Sequence, residues 1–152
     1  MPKSIKNFTK ERQELLQKML SAPYFSQLPP KSTGRDHFNL QWIEDHIQQG
    51  SYKAEDVQAS LLQLTIQSIL NGLQAHAKET QRLIVCGGGT KNIALLELLK
   101  IQSQKQIPSL VIESSAQHGI DPQLVEALAF AWLAWAHQQK RPANMPAVTG
   151  AK

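Results

Sequence analysis

Residues 82–112 read RLIVCGGGTKNIALLELLKIQSQKQIPSLVI, and this stretch decides the fold. It begins with a short apolar run up to Cys86, which three glycines end. A segment of helical composition follows over residues 93–99, and a second apolar run, 109–112, comes after Pro108. Strand, glycine turn, helix and strand in this order form a βαβ unit, whose strands should be parallel and whose crossover should be right-handed. The stretch therefore predicts an α/β fold with a small parallel sheet.

The glycine turn, Gly87-Gly88-Gly89, is a candidate ligand site. Glycines have no Cβ and adopt positive φ freely, so that a backbone built from them can approach a ligand closely. The turn is not a phosphate-binding P-loop, and it departs from the dinucleotide GxGxxG pattern by placing Asn92 where the third glycine belongs. A plain tight turn remains an alternative. The ligand hypothesis gains from position, because open α/β sheets bind ligands at the carboxyl ends of their strands.

A second helix is predicted from the sequence DPQLVEALAFAWLAWA, residues 121–136. Asp121 suits the N-cap and Pro122 the first helical position. The apolar run is too short for a membrane span, so we expect a core helix packed on one face of the sheet. Its one carboxylate, Glu126, is costly to bury unpaired. Glu126 should therefore be paired, protonated, or open to a cleft where it touches a ligand.

The composition indicates one globular domain of ordinary size. The chain has 152 residues, of which 41% are hydrophobic. Cys86 is its single cysteine, which excludes an intrachain disulfide, and MPKSIKNF lacks the apolar stretch of a signal peptide, so we expect a cytoplasmic protein. Sixteen basic and twelve acidic residues give a net charge of +4, and seven of the basic residues lie near the two ends of the chain. We expect these to be solvated surface charges, and nothing in their pattern predicts nucleic-acid binding. They are Lys3, Lys6, Lys10, Arg12, Lys140, Arg141 and Lys152.

The first half of the chain is predicted to be helical. A loose apolar pattern indicates a helix over residues 8–20, and a second, shorter one is expected over 39–44. Between them, the charged segment 29–39 is expected to be a surface connection. Residues 54–77 should form a long amphipathic core helix. Its predicted buried stripe is Leu62, Ile66, Ile69 and Leu73.

Several segments together resemble the C-terminal part of anhydro-N-acetylmuramic acid kinases, which belong to the superfamily of sugar kinases, actin and heat-shock chaperones. They are PYFSQLPPKSTGRDHFN (23–39), AEDVQASLLQLT (54–65), LIVCGGGTKN (83–92), GIDPQLVEALAFAWLA (119–134) and PANMPAVTGA (142–151). The resemblance covers nearly the whole chain from about residue 20. The combination of CGGG, VEALAFAWLA and PxxVTGA is much more specific than any one of them.

The resemblance implies one lobe of the actin-like, ribonuclease H-like ATPase fold. Residues 21–152 would be the C-terminal, adenosine-side lobe, and residues 1–20 a helical extension. Members of this family cleave the anhydro ring of the cell-wall sugar and phosphorylate its 6-hydroxyl in peptidoglycan recycling, with ATP and Mg²⁺. ATP and anhydro-N-acetylmuramic acid are therefore the expected ligands of the complete enzyme.

The resemblance also assigns site residues. Gly87, Gly88 and Gly89 would form the adenosine-side turn, and Asn92 would either fix that turn or touch the nucleotide. Glu126 would be the contribution of this lobe to the sugar site. The catalytic aspartate and the phosphate loop of the family belong to an N-terminal lobe that this sequence does not contain, and no metal ligand is assigned here. The chain alone is therefore expected to be inactive.

Two other hypotheses remain open at this point. The chain could be a non-catalytic dimerisation or interaction module derived from the same lobe, or a small nucleotide-binding domain that acts by itself. The corresponding partners are a second copy of the chain or a separately encoded N-terminal lobe, with neither a membrane nor a nucleic acid expected.

Overall fold

The computed structural model describes residues 9–48 and 50–144 of the chain. These residues form an α/β structure with six α-helices and a two-stranded parallel sheet, as the sequence predicts. They fall into two compact units, residues 9–69 and residues 70–144. The last part of the quoted C-terminal motif, residues 145–151, lies outside the described residues.

The first unit is helical. Its helices are α1 (Lys10–Leu20), α2 (Pro23–Ser26), α3 (Leu40–Ile47) and the greater part of α4 (Ala54–His76). These bounds confirm the helices predicted near residues 8–20, 39–44 and 54–77.

Two of these helices begin with a side-chain cap. The Thr9 hydroxyl accepts a hydrogen bond from the backbone N–H of Arg12 at 3.4 Å, and Asn39 Oδ1 accepts one from the N–H of Trp42 at 2.9 Å. Such caps satisfy backbone donors that have no partner inside the helix. In the first turn of α1, hydrogen bonds from its own backbone N–H and from Thr9 lower the pKa of the Glu11 carboxyl.

The core of the first unit lies between α1 and α4. Leu15, Leu16 and Met19 of α1 are buried together with Leu64 of α4. The aromatic and aliphatic side chains packed against them are only partly buried. They are Leu20, Phe25, Trp42, Ile47, Tyr52, Val57 and Leu61.

The charged segment between α2 and α3 is a surface connection, as predicted. Residues 27–37 are all exposed. The Nζ of Lys31 donates a hydrogen bond to the carbonyl of Tyr24 at 2.9 Å, and Phe38 packs edge-on against the ring of Trp42 at 5.1 Å between centroids. The segment is therefore anchored at both ends.

Arg12 differs from the expectation of a solvated surface charge. Its Nε lies 2.6 Å from Oδ1 of Asp56, and the two side chains are only 7% and 18% exposed. The pair connects α1 to α4, and the hydroxyl of the buried Ser60 donates to the carbonyl of Arg12 at 3.3 Å. The expectation was wrong because the partner lies 44 positions away in sequence. Lys10, by contrast, is exposed as predicted.

Helix α4 is long and partly buried, but its buried face differs from the predicted stripe. Of the four residues predicted for this stripe, Ile66 is fully buried and the others only in part. Leu64, Ile66 and Leu70, together with Ser60, are the buried residues of the helix. At 3.6 residues per turn, Ser60 and Leu64 lie on one side of the helix, and Ile66 and Leu70 lie about a third of a turn away. The buried residues therefore do not form the single stripe that the apolar spacing predicts.

The second unit contains the predicted βαβ arrangement. Strand β1 (Arg82–Val85) pairs in parallel with β2 (Val111–Ser114), with Leu83 opposite Ile112, and α5 (Ile93–Gln106) connects them. Short 3₁₀ turns follow each strand, at Gly88–Lys91 and Ser115–His118. Leu98 and Leu99 of α5, with Leu110 and Ile112, are the buried apolar residues of this region. The predicted pairing and direction of the two strands are confirmed.

The last helix, α6 (Val125–Gln138), departs from the prediction in two ways. It begins four residues after Asp121, because Asp121 forms a separate turn before it. The side chain of Asp121 accepts a hydrogen bond from the N–H of Gln123, and its carbonyl accepts one from the N–H of Leu124. It is also not a core helix, since Ala136 is its one buried residue. A helix that is apolar on all sides needs neighbours on all sides, and the described residues do not supply them. None of the described helices combines the length and the apolarity of a membrane span.

Candidate functional site

The glycine turn follows β1 directly and takes a backbone conformation that requires its first glycine. Gly87 has φ 77° and ψ −170°, a region that residues with a Cβ rarely adopt. The carbonyl of Gly87 accepts hydrogen bonds from the backbone N–H of Thr90 at 3.1 Å and from its hydroxyl at 2.7 Å. The exposed thiol of Cys86 comes immediately before the turn. The first glycine is thus explained by the chain's own conformation.

The second and third glycines are not explained in this way. Neither has a positive φ, and a Cβ added to Gly88 would meet nothing within 4 Å. A Cβ added to Gly89 would lie 3.8 Å from Cδ2 of Leu95, which is an ordinary van der Waals contact. The packing of the described chain therefore tolerates a side chain at both positions. Close approach of a ligand is a physical reason for glycine there.

Asn92 has a clear structural role. Its Oδ1 accepts a hydrogen bond from the backbone N–H of Leu95 at 3.0 Å, which makes Asn92 the N-cap of α5. This contact is with the helix and not with Gly87, Gly88 or Gly89, so the expectation that the side chain of Asn92 fixes the glycine turn stays a prediction. Contact with a nucleotide stays a prediction.

Hydrogen bonds connect the glycine turn to the segment that precedes α6. The N–H of Gly87 donates to the carbonyl of Pro122 at 2.8 Å. The Nε2 of Gln123 donates to the carbonyl of Gly87 at 3.0 Å and lies 3.5 Å from Oγ1 of Thr90. The structure thus brings together two segments that the sequence separates by 36 positions. Neither Gln123 nor Thr90 was predicted, because no local pattern in the sequence indicates which side chain bridges the two turns.

Glu126 lies in the first turn of α6, three residues after Gln123, and is exposed. Within the described part of the chain it has no hydrogen-bond or ion-pair partner. Because Glu126 is exposed, it is not an unpaired carboxylate in the core, and that it opens to a ligand cleft stays a prediction. Glu126 is therefore available to a ligand, and its role in sugar binding stays a prediction.

A second polar cluster joins the two strands of the sheet, and it consists of Arg82, Glu113 and His118. Oε2 of Glu113 in β2 lies 3.2 Å from Nε of Arg82 in β1 and 2.8 Å from Nε2 of His118. This is a cross-strand ion pair extended by one histidine. Across residues 9–48 and 50–144, no group of three or more His, Cys, Asp and Glu residues is arranged to hold a metal ion.

The architecture and the comparisons agree on the class of protein. Six helices and a small parallel sheet in the described residues, with a glycine turn after the first strand, are consistent with one lobe of an actin-like kinase. The family model described as "Anhydro-N-acetylmuramic acid kinase" matches residues 7–152. The chain therefore belongs to the anhydro-N-acetylmuramic acid kinase family.

Similar proteins of known name carry the same description. An anhydro-N-acetylmuramic acid kinase from Xanthomonas campestris pv. campestris is 45% identical over 137 residues, which are 90% of this chain and 35% of the relative. One from Pseudomonas syringae pv. tomato is 47% identical over 140 residues, 91% of this chain and 37% of the relative. The chain thus spans little more than a third of the length of the curated relatives it matches. The chain is therefore similar to one part of such a kinase.

Proposed function

We propose that this chain is the nucleotide- and sugar-binding C-terminal lobe of an anhydro-N-acetylmuramic acid kinase. In this proposal, the turn formed by Gly87, Gly88 and Gly89 receives the adenosine side of ATP, and Glu126 binds the sugar. The observation that carries the proposal is that the structure has room for a side chain at positions 88 and 89, although both residues are glycine. The hydrogen bonds of Gln123 support it, because they connect the turn to the start of the helix that bears Glu126.

The proposed reaction belongs to the complete enzyme. There, ATP with Mg²⁺ supplies the phosphoryl group for the 6-hydroxyl of anhydro-N-acetylmuramic acid as the anhydro ring opens, in cytoplasmic peptidoglycan recycling. Phosphoryl transfer depends mainly on positioning and on stabilisation of charge. The residues of this chain bind and orient the two substrates. The catalytic base and the phosphate and metal ligands are assigned to the N-terminal lobe, so the chain alone is inactive.

A second candidate function is a non-catalytic interaction module derived from this lobe. The observation that favours it is the exposure of the apolar helix α6, which has the composition of an interface. A module of this kind needs no ATP, and this separates the two candidates experimentally.

Phosphorylation of anhydro-N-acetylmuramic acid by ATP tests the leading proposal. The assay is run on the chain alone and on the chain mixed with a separately expressed N-terminal lobe from the Xanthomonas campestris relative. We expect no turnover from the chain alone and measurable product from the mixture. Robust product from the highly purified chain would overturn the assignment of the catalytic groups to the other lobe.

The variant Gly88→Ala tests the glycine turn, with Gly72→Ala as its matched control. Neither added methyl group meets an atom within 4 Å, so both variants should fold. Gly72 lies in α4, where alanine favours the helix by about 1 kcal/mol. We expect Gly88→Ala to weaken ATP binding to the two-lobe mixture by about tenfold, or 1.4 kcal/mol, and Gly72→Ala to leave it unchanged. Equal ATP affinity in both variants would remove the turn from the site.

A further inference from the structure

The carboxamide of Gln123 is held against the glycine turn in a defined position. Its Nε2 lies 3.0 Å from the carbonyl oxygen of Gly87 and 3.5 Å from Oγ1 of Thr90. The backbone N–H of Gln123 donates to Oδ1 of Asp121 at 2.8 Å. The N–H of Gly87 donates in turn to the carbonyl of Pro122 at 2.8 Å. Both the backbone and the side chain of Gln123 are therefore bonded to the chain around them.

The partners of this carboxamide fix which of its ends faces the turn. A carbonyl oxygen can only accept, so the atom that bonds the carbonyl of Gly87 is the amide nitrogen. The Thr90 hydroxyl donates its own hydrogen to the same carbonyl at 2.7 Å, so towards Gln123 it can only accept. A carboxamide turned by half a rotation would place Oε1 against these two acceptors. The hydrogen bonds thus hold the carboxamide in one orientation.

This orientation leaves Oε1 of Gln123 open to a ligand. Within residues 9–48 and 50–144 no donor bonds this oxygen, and the residue is exposed. An amide oxygen has two lone pairs and no hydrogen, so it can only accept. It belongs to the side chain that contacts the turn in which Gly88 and Gly89 have room beside the backbone. The turn therefore presents an acceptor that cannot exchange its role for that of a donor.

We propose that Oε1 of Gln123 selects adenine at this turn, by accepting a hydrogen bond from the amino group at position 6 of the purine. That amino group is a donor, whereas the oxygen in its place in a 6-oxopurine such as guanine is an acceptor. Two facing acceptors form no hydrogen bond and leave each other unpaired. The base is favoured over the ribose, because a hydroxyl both donates and accepts and would be satisfied by either end of a carboxamide. The inference rests on the proposed function in taking the adenosine side of ATP as the ligand of the turn.

The test compares adenosine with inosine, in which a 6-oxo group replaces the 6-amino group. Each nucleoside is titrated into the full chain, and binding is followed by the NMR shifts of the backbone amides of Gly87, Gly88 and Gly89. Nucleosides are used because the phosphate ligands are assigned to the N-terminal lobe. We expect the dissociation constant of inosine to be about tenfold higher than that of adenosine, which corresponds to 1.4 kcal/mol.

The variant Gln123→Ala should abolish this selectivity. Loss of the bond to Gly87 loosens the turn and weakens both nucleosides alike, so the ratio of their dissociation constants reports the acceptor separately. We expect this ratio to fall from about ten to about one. The matched control is Gln104→Ala, which removes an exposed glutamine from the last part of α5, whereas the turn precedes the start of that helix. This control should keep the ratio near ten.

The outcomes separate this inference from the proposed function. Equal affinities for adenosine and inosine at the turn of the unmodified chain would overturn the inference and leave the proposed nucleotide site in place. A selectivity that Gln123→Ala does not change would also overturn it, because another group would then distinguish the bases. If neither nucleoside shifts the amides of the turn, the proposed function loses its nucleotide site and the inference is refuted with it.

Discussion

The ion pair between Arg12 and Asp56 should contribute strongly to the stability of the first unit. Its atoms are 2.6 Å apart and the two side chains are 7% and 18% exposed. Asp56→Ala removes the carboxylate that faces a buried guanidinium, and loss of one partner of a buried pair costs about 3–5 kcal/mol. Arg12 makes further interactions besides this one, so we expect the lower end of the range, about 3 kcal/mol. At about 2–4 °C for each kcal/mol in a chain of this length, Tm should fall by roughly 6–12 °C.

The assay is urea unfolding followed by circular dichroism, with an exposed pair as control. Lys10 and Glu14 lie 3.7 Å apart on the same helix, but their side chains are 84% and 60% exposed. Glu14→Ala should therefore cost at most about 0.5 kcal/mol. Equal losses in the free energy of unfolding for Asp56→Ala and Glu14→Ala would refute this prediction, because burial would then not increase the contribution of an ion pair to stability.

Four further predictions concern the site and the first helix. Gln123→Ala removes the hydrogen bond to the carbonyl of Gly87, so the free energy of opening the turn should fall by about 0.5–1.5 kcal/mol. Hydrogen exchange of the backbone amides at the turn should become correspondingly faster. Asn92→Asp keeps the helix cap, so the free energy of unfolding should change by less than about 0.5 kcal/mol, while ATP affinity of the two-lobe mixture should fall because a negative charge faces the nucleotide. Glu126→Gln should lower kcat/KM of that mixture by about tenfold or more, close to 1.4 kcal/mol, and unchanged kinetics would exclude Glu126 from the sugar site. Because the pKa of Glu11 is lowered in the folded chain, its stabilising contribution should be present above the unfolded pKa and lost as pH falls through the folded one, which an NMR titration of this carboxyl measures.

Local sequence signals predicted the βαβ unit well. The apolar run before the glycines and the run after Pro108 gave the two strands, observed as Arg82–Val85 and Val111–Ser114. Their parallel pairing follows from the helix between them. The Ala54–His76 helix was likewise evident from its length and spacing. In each case the information lies within the segment itself.

The features that were missed depend on partners elsewhere in the chain or outside it. Arg12 was expected at the surface because nothing near it in sequence indicates Asp56. The bridge from Gln123 to Gly87 is equally non-local. The spacing of α6 shows that the helix is apolar but not what covers it, so its exposure could not be predicted. Asp121 was expected to start this helix. It forms a turn of its own, because its side chain accepts a hydrogen bond from the N–H of Gln123, two residues later.

The exposed thiol of Cys86 makes the glycine turn accessible to direct measurement. It is the one cysteine of the sequence, so a thiol reagent attaches a fluorophore at a single position without removal of other cysteines. The label would be joined to the residue next to Gly87, where the backbone leaves β1. A change in its emission on addition of ATP would then test, without a substitution and independently of turnover, the proposal that the nucleotide binds at this turn.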